Sequence, residues 1–419
     1  MLFYIAVSDG CVANHQSCVW NVTGIVSLNP EPFATTPMKI QKTGIPRPAG
    51  LYVHIPFCDG KCGYCAFYSI SYEAALADRL LAALEKELDL AREAGIAPEA
   101  ETIYIGGGTP SMLSPAQLEH LCGMFLPCIS CAVPREWTVE INPGSISVEK
   151  LAVLTRAGVN RISLGAQSFN DGALRTLGRR HSAEDIVQAV AQVRCAGIDN
   201  FGLDLMAGIP GFGAGVWRKT LDRAVALEPR HISVYALTNE EGTRLDEAIR
   251  CGESVLLSDE DQLAALSTAE TVLTAAGYRR YEISNYAKPG FECRHHCACW
   301  RGGEYLGIGP AAASHVGLQR WTNRPNLEAY LEALGQGRLP PRDMDPLTPA
   351  LKTMERVVFG LRMAEGIGAD VAADYLAALQ DLRNKGLVDC REKRWFLTAR
   401  GQELADAVAV ELMGVTAME

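Results

Sequence analysis

The sequence predicts an α/β fold built from parallel strand–helix units. Six short runs rich in β-branched, aromatic and other apolar residues recur between residues 51 and 238, and helical segments separate them. Regular alternation of strand and helix with short linkers is typical of parallel sheets. Periodicity alone leaves two arrangements open, a partial barrel and an open, doubly wound sheet.

The elements follow one another in order along the chain. The predicted strands are LYVHIPF (51–57), TIYIGGG (102–108), WTVEINPG (137–144), RISLGAQS (161–168), FGLDLMAG (201–208) and HISVYALT (231–238). The predicted helices between them span 73–95, 115–126, 148–157, 183–197 and 214–228. After residue 240 the alternation stops, and a helix at 258–276 leads into a segment rich in aromatic residues, glycine and cysteine.

The two ends of the chain differ from this central region. Residues 1–46 show no strand or helix period and are interrupted by prolines, which predicts a disordered extension. Met38, just before the first strand, is an alternative start of translation. Pro340 and its neighbours indicate a linker after a core domain at 47–340. Residues 341–419 then predict two helices, a hairpin and a closing helix, which resembles a small winged-helix-like domain.

Composition and charge exclude several classes of function. A net charge of −10 argues against non-specific binding of nucleic acid, which needs a basic surface. No apolar run approaches the roughly 20 residues of a membrane span, and the opening MLFYIAV lacks the basic flank and the length of a signal peptide. We therefore expect a cytoplasmic protein. Its 14 cysteines then indicate metal binding or burial rather than disulfides.

Three cysteines form a compact group directly after the first predicted strand. Cys58, Cys62 and Cys65 follow a C-x₃-C-x₂-C spacing, with Gly60 and Gly63 between them. Thiolates are the ligands of iron–sulfur clusters, and three of them leave the fourth iron of a cubane open for another ligand. Structural zinc needs four ligands, and no neighbouring Cys or His completes such a set. The spacing therefore predicts a [4Fe–4S] cluster with one open iron.

This cysteine motif resembles that of the radical S-adenosylmethionine (SAM) enzymes. Further motifs match, in order, the subgroup of the coproporphyrinogen III dehydrogenases and the HemW-type haem chaperones: YVHIPFC (52–58), GGGTPS (106–111), EINP (140–143), GAQSF (165–169), LGR (177–179), DLMAGIP (204–210) and YAKPG (286–290). The resemblance covers residues 51 to about 320, and the C-terminal region is similar as well. It implies a radical SAM partial (β/α)6 barrel with a small helical, winged-helix-like C-terminal domain.

The resemblance also implies which residues contact SAM. The glycine-rich end of the second predicted strand corresponds to the element that contacts the methionine part of SAM: Gly107, Gly108 and Thr109. Four further positions match SAM contacts of the family: Glu140, Gln167, Arg179 and Asp204. Most of these fall near the C-terminal ends of predicted strands, where ligands gather in parallel sheets and barrels. Tyr52 and Tyr64 flank the cysteines and are further candidates, with simple packing as the alternative.

Two segments bear on which branch of the subgroup the chain resembles. The dehydrogenases have a fourth cysteine two residues after the third, whereas this chain has Phe67 there, and the HemW-type chaperones also have an aromatic residue. The chaperones carry H-N-x-x-Y-W, which is associated with haem binding. The corresponding segment here is HHCACW (295–300), in which His295 and Trp300 match and Cys299 replaces the tyrosine. The resemblance implies haem as a further cofactor and His295 as a candidate ligand, with a structural histidine as the alternative; His296, Cys297 and Cys299 are other candidates.

The resulting hypothesis is a HemW-like, cytoplasmic haem chaperone that holds a [4Fe–4S] cluster, SAM and haem. The implied partners are a reductant for the cluster and a respiratory haem protein, at the membrane surface, that accepts the haem; nucleic acid is not among them. The alternative is an enzyme that decarboxylates coproporphyrinogen III or modifies another tetrapyrrole by radical chemistry. The sequence leaves open whether SAM is cleaved productively.

The remaining cysteines have simpler interpretations. Cys293, Cys297 and Cys299, together with the two neighbouring histidines, offer five ligands in seven residues, so zinc or a second cluster is a rival hypothesis there. A second group is predicted to be buried around a helix–strand turn: Cys122, Cys128 and Cys131. Three isolated residues are predicted to be packing residues: Cys195, Cys251 and Cys390.

Overall fold

The six predicted strands form one parallel sheet in the computed structural model, which describes residues 48–129 and 135–416. The strands pair in chain order, each parallel to the next: β1 (Gly50–Ile55), β4 (Thr102–Gly107), β5 (Glu136–Ile141), β6 (Arg161–Gln167), β7 (Phe201–Ala207) and β8 (His231–Ala236). A short parallel pair, β2 (Phe57–Cys58) and β3 (Ile70–Ser71), follows β1. Because the strand order never reverses, the units form a partial barrel rather than a doubly wound sheet.

Helices connect the barrel strands, and their ends agree with the predicted ends to within two residues. They are α1 (Ala74–Glu93), α2 (Pro115–Phe125), α3 (Val148–Ala157), α5 (Ala183–Cys195) and α6 (Ala214–Ala226), with a short additional α4 (Asp171–Thr176). Capping sets where two of them begin. The hydroxyl groups of Ser114 and Ser182 accept hydrogen bonds from the backbone N–H groups of Gln117 and Asp185, respectively. In return, the side chains of Gln117 and Asp185 accept from the backbone N–H groups of the two serines, which completes a capping box at each helix.

The barrel strands carry apolar residues on one face and polar residues on the other. Leu51, Val53 and Ile55 of β1 belong to the apolar core, whereas Tyr52 and His54 alternate with them and hydrogen-bond to each other. Side chains alternate between the two faces of a strand. The helices therefore cover the outer, apolar face, and the inner face forms a polar lumen.

The sheet continues beyond the barrel on both sides, and it does not close in the described part of the chain. On one side β11 (Tyr305–Ile308) pairs in parallel with β1, followed by the antiparallel strands β12 (Ala313–Val316), β13 (Gln319–Asn323) and β14 (Arg342–Met344). On the other side β10 (Asn285–Ala287) and β9 (Arg279–Glu282) extend β8. The helices of this region are α7 (Arg244–Arg250), α8 (Asp259–Ala275), α9 (Arg294–Trp300) and α10 (Leu327–Gly335).

A second apolar core, running from Met354 to Leu412, belongs to the C-terminal region. Its elements are α11 (Pro349–Arg362), β15 (Ile367–Gly368), α12 (Ala369–Ala372), α13 (Leu376–Asn384), β16 (Val388–Arg391), β17 (Arg394–Leu397), α14 (Ala399–Glu403) and α15 (Ala405–Thr416). The three strands form a small sheet beside the helices, as in the winged-helix-like arrangement that the sequence predicts.

The predicted division of the chain at residue 340 stays a prediction. The strand Arg342–Met344 pairs with the large sheet, while the separate core begins with α11. The predicted extension at 1–46 and the alternative start at Met38 lie outside the described residues. Within the described ranges, every helix is too short or too polar to cross a lipid bilayer.

Glu87 of α1 ties the barrel to the strands that extend its sheet. Its buried carboxylate accepts hydrogen bonds from the Gly309 N–H at 2.9 Å, Asn323 Nδ2 at 2.8 Å and the Tyr330 hydroxyl at 2.6 Å. It also pairs with Arg342 at 3.2 Å. A buried charge with this many partners is stabilising only while the set is complete, because removing one member leaves the others desolvated and unpaired.

Replacing Glu87 with alanine should therefore destabilise the protein strongly. We expect Glu87→Ala to lower the free energy of unfolding by about 3–5 kcal/mol, measured by equilibrium urea unfolding. The matched control is Glu85→Ala on the same helix, where an exposed carboxylate lies 3.9 Å from His120 and the loss should be at most about 1 kcal/mol. Equal effects of the two substitutions would contradict the role given to Glu87.

Candidate functional site

The three predicted cluster ligands lie on one well-anchored loop (residues 58–65, the cysteine loop) beyond the C-terminal end of β1. The Gly63 N–H donates to the Leu177 carbonyl at 3.0 Å, and the Leu245 N–H donates to the Gly63 carbonyl at 2.8 Å. Gly60 has a φ of +99°, a conformation that favours glycine. The loop therefore holds its cysteines as free, half-buried thiols next to two other segments of the barrel rim.

The surroundings of these thiols fit a cubane cluster. Arg179 Nη1 lies 3.5 Å from the Cys62 sulfur, and the Thr109 hydroxyl lies 3.6 Å from the Cys58 sulfur, so two of the three thiolates would have a side-chain hydrogen-bond donor. Burial raises the pKa of Cys58, and it raises the pKa of Cys65 to about 11, so both depend on bound iron to lose their protons. In the described residues no three His, Cys, Asp or Glu side chains converge on a single ion. A cubane instead takes each thiolate on its own iron.

The glycine-rich end of β4 packs directly against the segment that leads into the cysteine loop. A Cβ at Gly107 would lie 2.6 Å from the His54 ring, and one at Gly108 would lie 2.7 Å from the Phe57 carbonyl oxygen. The Thr109 N–H donates to that same carbonyl at 2.7 Å. Glycine is therefore required at both positions, and the close approach places Thr109 beside Cys58.

Two half-buried carboxylates, Glu140 and Asp204, lie in the lumen below this edge. Glu140 accepts from the Tyr104 hydroxyl at 2.7 Å and from the Gly107 N–H at 3.2 Å. Asp204 accepts from the Ser163 hydroxyl at 3.1 Å. Burial raises the pKa of both carboxyl groups. Acceptors held in this way suit a ligand that brings a positive charge or hydroxyl donors.

Gln167 and Arg179 complete the edge and carry buried polar atoms without partners in the described chain. Gln167 has a φ of +63° at an irregularity in the pairing of β6 with β7, and its Oε1 has no hydrogen-bond partner. Arg179 donates through Nη2 to Asn142 at 2.9 Å and to the Gly165 carbonyl at 2.8 Å, but its Nε is unpartnered. Unsatisfied buried groups and strained backbone concentrate at ligand sites.

The two predicted tyrosines have packing roles: Tyr64 lies on the cysteine loop, whereas Tyr52 lies further down β1, in register with Tyr104. The Tyr52 hydroxyl is 3.1 Å from His54 Nδ1, and its ring stacks on Tyr104 with centroids 6.4 Å apart. Tyr64 packs against an apolar group that includes Leu177. The fold thus brings most of the predicted SAM contacts to one edge, with Tyr52 deeper in the barrel, and the contacts with SAM stay predictions.

His295 lies at the opposite, N-terminal edge of the barrel. Its backbone N–H donates to Glu136 at 3.0 Å and its Nδ1 lies 3.0 Å from the Thr102 hydroxyl, so α9 covers the starts of β4 and β5. The side chain is only 3% exposed, and its Nε2 is buried without a partner among the described residues. Its role as haem ligand stays a prediction, and it requires α9 to move, because iron needs an accessible ring nitrogen.

The other cysteines do not form a second metal site in the described chain. Cys293 and Cys297 are buried in an apolar cluster with Tyr281 and Trp300, so the zinc hypothesis for this segment is not supported. Cys122 and Cys128 are buried, as predicted, and their neighbour at position 131 lies outside the described residues. The prediction of packing roles is wrong for Cys195 and Cys251, which are exposed.

The lumen contains functional candidates that the sequence analysis does not single out. Asn142 orients Arg179, and Tyr104 lies between Glu140 and the rings of His295 and His296, at 5.4 and 4.9 Å between centroids. The signal that could have found several of them is the alternation of polar with apolar residues along the predicted strands. A lumen lined by polar groups follows from that pattern once the strands form a barrel.

Comparison with known proteins assigns the family. Residues 52–224 match the model of the radical SAM superfamily. The chain is 37% identical over 373 residues to the heme chaperone HemW of Mycobacterium tuberculosis, covering 88% of this chain and 95% of that protein. It is 33% identical to the heme chaperone HemW of Bacillus subtilis, covering 87% and 98%. The chain therefore belongs to the HemW family of radical SAM proteins.

A solved structure agrees with the radical SAM fold. Coproporphyrinogen III oxidase (HemN) of Escherichia coli, a radical SAM enzyme, superposes with a TM-score of 0.75 and 26% identity, covering 87% of this HemW-family chain and 90% of the enzyme. The radical SAM class brings two cofactors, a [4Fe–4S] cluster and SAM. The free thiols of the cysteine loop and the unpartnered polar atoms beside it fit those two groups.

Each cysteine of the loop should be necessary for the cluster. After anaerobic reconstitution we expect about four irons per chain, and Cys58→Ser, Cys62→Ser or Cys65→Ser should each remove most of the iron and the visible absorbance. The controls are Cys195→Ser and Cys251→Ser, which change exposed thiols. Full iron content in any of the three loop variants would contradict the assignment of that residue.

Arg179 should be needed for SAM binding because its Nε is buried without a partner in the described chain, beside the Cys62 sulfur. We expect Arg179→Gln to weaken SAM binding at least tenfold, since a hydrogen bond to a charged group is worth about 1.5–3 kcal/mol. Equilibrium dialysis with the reconstituted protein measures this. An exposed arginine away from the cysteine loop supplies the control Arg156→Gln, which removes only a surface pair with Glu119 and should change affinity little. Equal affinities in both variants would exclude this role.

Proposed function

We propose that this protein is a haem chaperone that binds haem and delivers it to a respiratory haem protein at the membrane surface. A [4Fe–4S] cluster and SAM are its resident cofactors, held at the edge formed by the cysteine loop and the ends of β4 to β7. The observation that supports this most directly is the match to heme chaperones over 95% and 98% of their lengths.

The residue at position 67 favours this function over tetrapyrrole oxidation. Phe67 occupies the place of the fourth cysteine that the dehydrogenases carry, and it is 48% exposed beside the cysteine loop. A phenyl ring offers no ligand to iron. The structural similarity to coproporphyrinogen III oxidase supports one alternative function, that of a radical enzyme that acts on a tetrapyrrole.

Within this proposal, the chain's own residues would orient the cofactors. Cys58, Cys62 and Cys65 would hold the cluster, which supplies the electron for SAM cleavage when it is reduced by a separate electron donor. Glu140 and Asp204 would accept hydrogen bonds from bound SAM, and the unpartnered atoms of Gln167 and Arg179 would find partners on it. Whether SAM is consumed is a separate question that the same experiment answers.

The proposal predicts haem capture without porphyrinogen turnover. We expect hemin to bind the anaerobically reconstituted protein with a saturable change in absorbance and a Kd in or below the micromolar range, which corresponds to about −8 kcal/mol. Coproporphyrinogen III with SAM and a reductant should yield no protoporphyrinogen IX, and a 5′-deoxyadenosine assay in parallel reports SAM cleavage. Conversion of the porphyrinogen would establish the alternative function.

Delivery needs an additional measurement. Haem-loaded protein should restore activity to membranes that contain a haem-depleted respiratory enzyme faster than the same amount of free hemin does. The matched comparison is haem-loaded serum albumin, which binds haem without being a dedicated donor. Equal rates from the two carriers would argue against specific delivery while leaving haem binding intact.

A further inference from the structure

A cleft lies where α9, β11, β12 and α11 meet, between the large sheet and the C-terminal region. It has walls of mixed chemistry, with sulfur, imidazole, aromatic and cationic side chains: Cys299, Trp300, His315, Arg356 and Phe359. The cleft lies at the N-terminal edge of the barrel. Tyr305 lines the cleft and pairs with Gly50 at the start of β1. The cleft is therefore separate from the cysteine loop and the predicted SAM contacts.

His315 lines this cleft and carries one ring nitrogen, Nε2, that has no hydrogen-bond partner among the described residues. It lies on β12 opposite Tyr305, with ring centroids 6.3 Å apart, and is 7% exposed. Its Nε2 is also buried. Burial lowers the pKa of His315 to about 4, so the ring is neutral at physiological pH and its free nitrogen can bind iron. An unsatisfied buried atom of this kind indicates a missing ligand.

Cys299 brings a second iron ligand to the same cleft. Among the candidates in the segment 295–300, it is the one that lines this cleft. His295 is 3% exposed in the barrel floor, and Cys297 is 5% exposed in an apolar cluster. Cys299 is a half-buried free thiol at the end of α9, and thiolate is an established axial ligand of haem iron.

The remaining walls suit a flat, apolar molecule with acidic groups. Trp300 and Phe359 meet edge to face, with centroids 5.8 Å apart, and form an aromatic wall. Arg356 is exposed and makes no ion pair with any described residue, whereas Arg320 and Lys352 are paired with carboxylates. One cation thus remains available for a carboxylate group, which a haem propionate would supply.

We propose that this cleft binds one edge of haem, with Cys299 or His315 as the iron ligand and Arg356 paired with a propionate. This inference rests on the proposed function, because it assigns the place where a haem-binding protein holds its haem. An edge-on site between two structural units leaves much of the macrocycle reachable by an acceptor. That accessibility is what transfer requires.

The test is a hemin titration of the full-length, cluster-loaded protein, comparing two double variants. Cys299→Ser with His315→Gln removes both candidate ligands, and we expect the Kd for hemin to rise at least about tenfold. The matched control is Cys251→Ser with His120→Gln, which makes the same two changes at an exposed cysteine and an exposed histidine. Iron content of the cluster and the melting temperature serve as folding checks.

A single surface substitution gives an independent measurement if the double variant is unstable. Arg356→Glu should weaken hemin binding, whereas Arg400→Glu, at another exposed position of the C-terminal region, should not. Loss of the thiolate signature in the ferrous–CO spectrum of Cys299→Ser would identify the sulfur as the ligand.

The outcomes separate this inference from the proposed function. If the unaltered protein binds hemin but the cleft double variant and Arg356→Glu bind it equally well, the cleft assignment is wrong and the haem chaperone proposal stands. If the unaltered protein binds no hemin, the proposed function itself fails.

Discussion

The parallel pairing of β1 on both of its edges is the constraint on which the rest of the structure depends. β1 pairs with β4 on one side and with β11 on the other, so one six-residue strand joins the barrel to the strands that extend it. Its C-terminal end leads into the cysteine loop, and its N-terminal end lies so near α9 that a Cβ at Gly50 would be 3.4 Å from the His295 ring. The register of this strand therefore sets the positions of both candidate sites at once.

The polar lumen follows from the same geometry and explains why ligand sites form at its two ends. Strands that are apolar towards their helices and polar inwards bury polar groups such as Thr138, Arg161 and Ser163, which need partners. Some pair with each other, as Tyr104 does with Glu140. Another lumen group, Gln167 Oε1, is left without a partner in the described chain.

Much of the fold could be predicted from the sequence because its strands and helices are strongly patterned. The six barrel strands and five helices have clear apolar periods and, at Ser114 and Ser182, local caps. No sequence pattern predicts the short helix Arg294–Trp300, because its seven residues carry cysteine and histidine instead of an amphipathic period. The positive φ of Gln167 also has no local signal, since it arises from the irregular pairing of two strands.

The two candidate sites also differ in how far the sequence predicts them. The cysteine loop is local in sequence, so its spacing alone indicates the cluster. The cleft depends on residues such as Cys299, His315 and Arg356, which come from three elements and meet only when the C-terminal region packs against the sheet. No local pattern marks His315, because its significance lies in an unpaired nitrogen that only the packed structure reveals.

The separation of the two candidate sites has a chemical consequence. β1 spans roughly 20 Å at about 3.3 Å per residue, with the cysteine loop beyond one end and the cleft near the other. A radical formed from SAM at the first site must approach its target to roughly 3–3.5 Å to react. Haem held in the cleft would therefore be out of its reach, which favours carriage of an intact haem over its chemical modification. In this arrangement the cluster and SAM could influence haem binding only through the barrel between them, most directly through the lumen path from Glu140 and Tyr104 to α9.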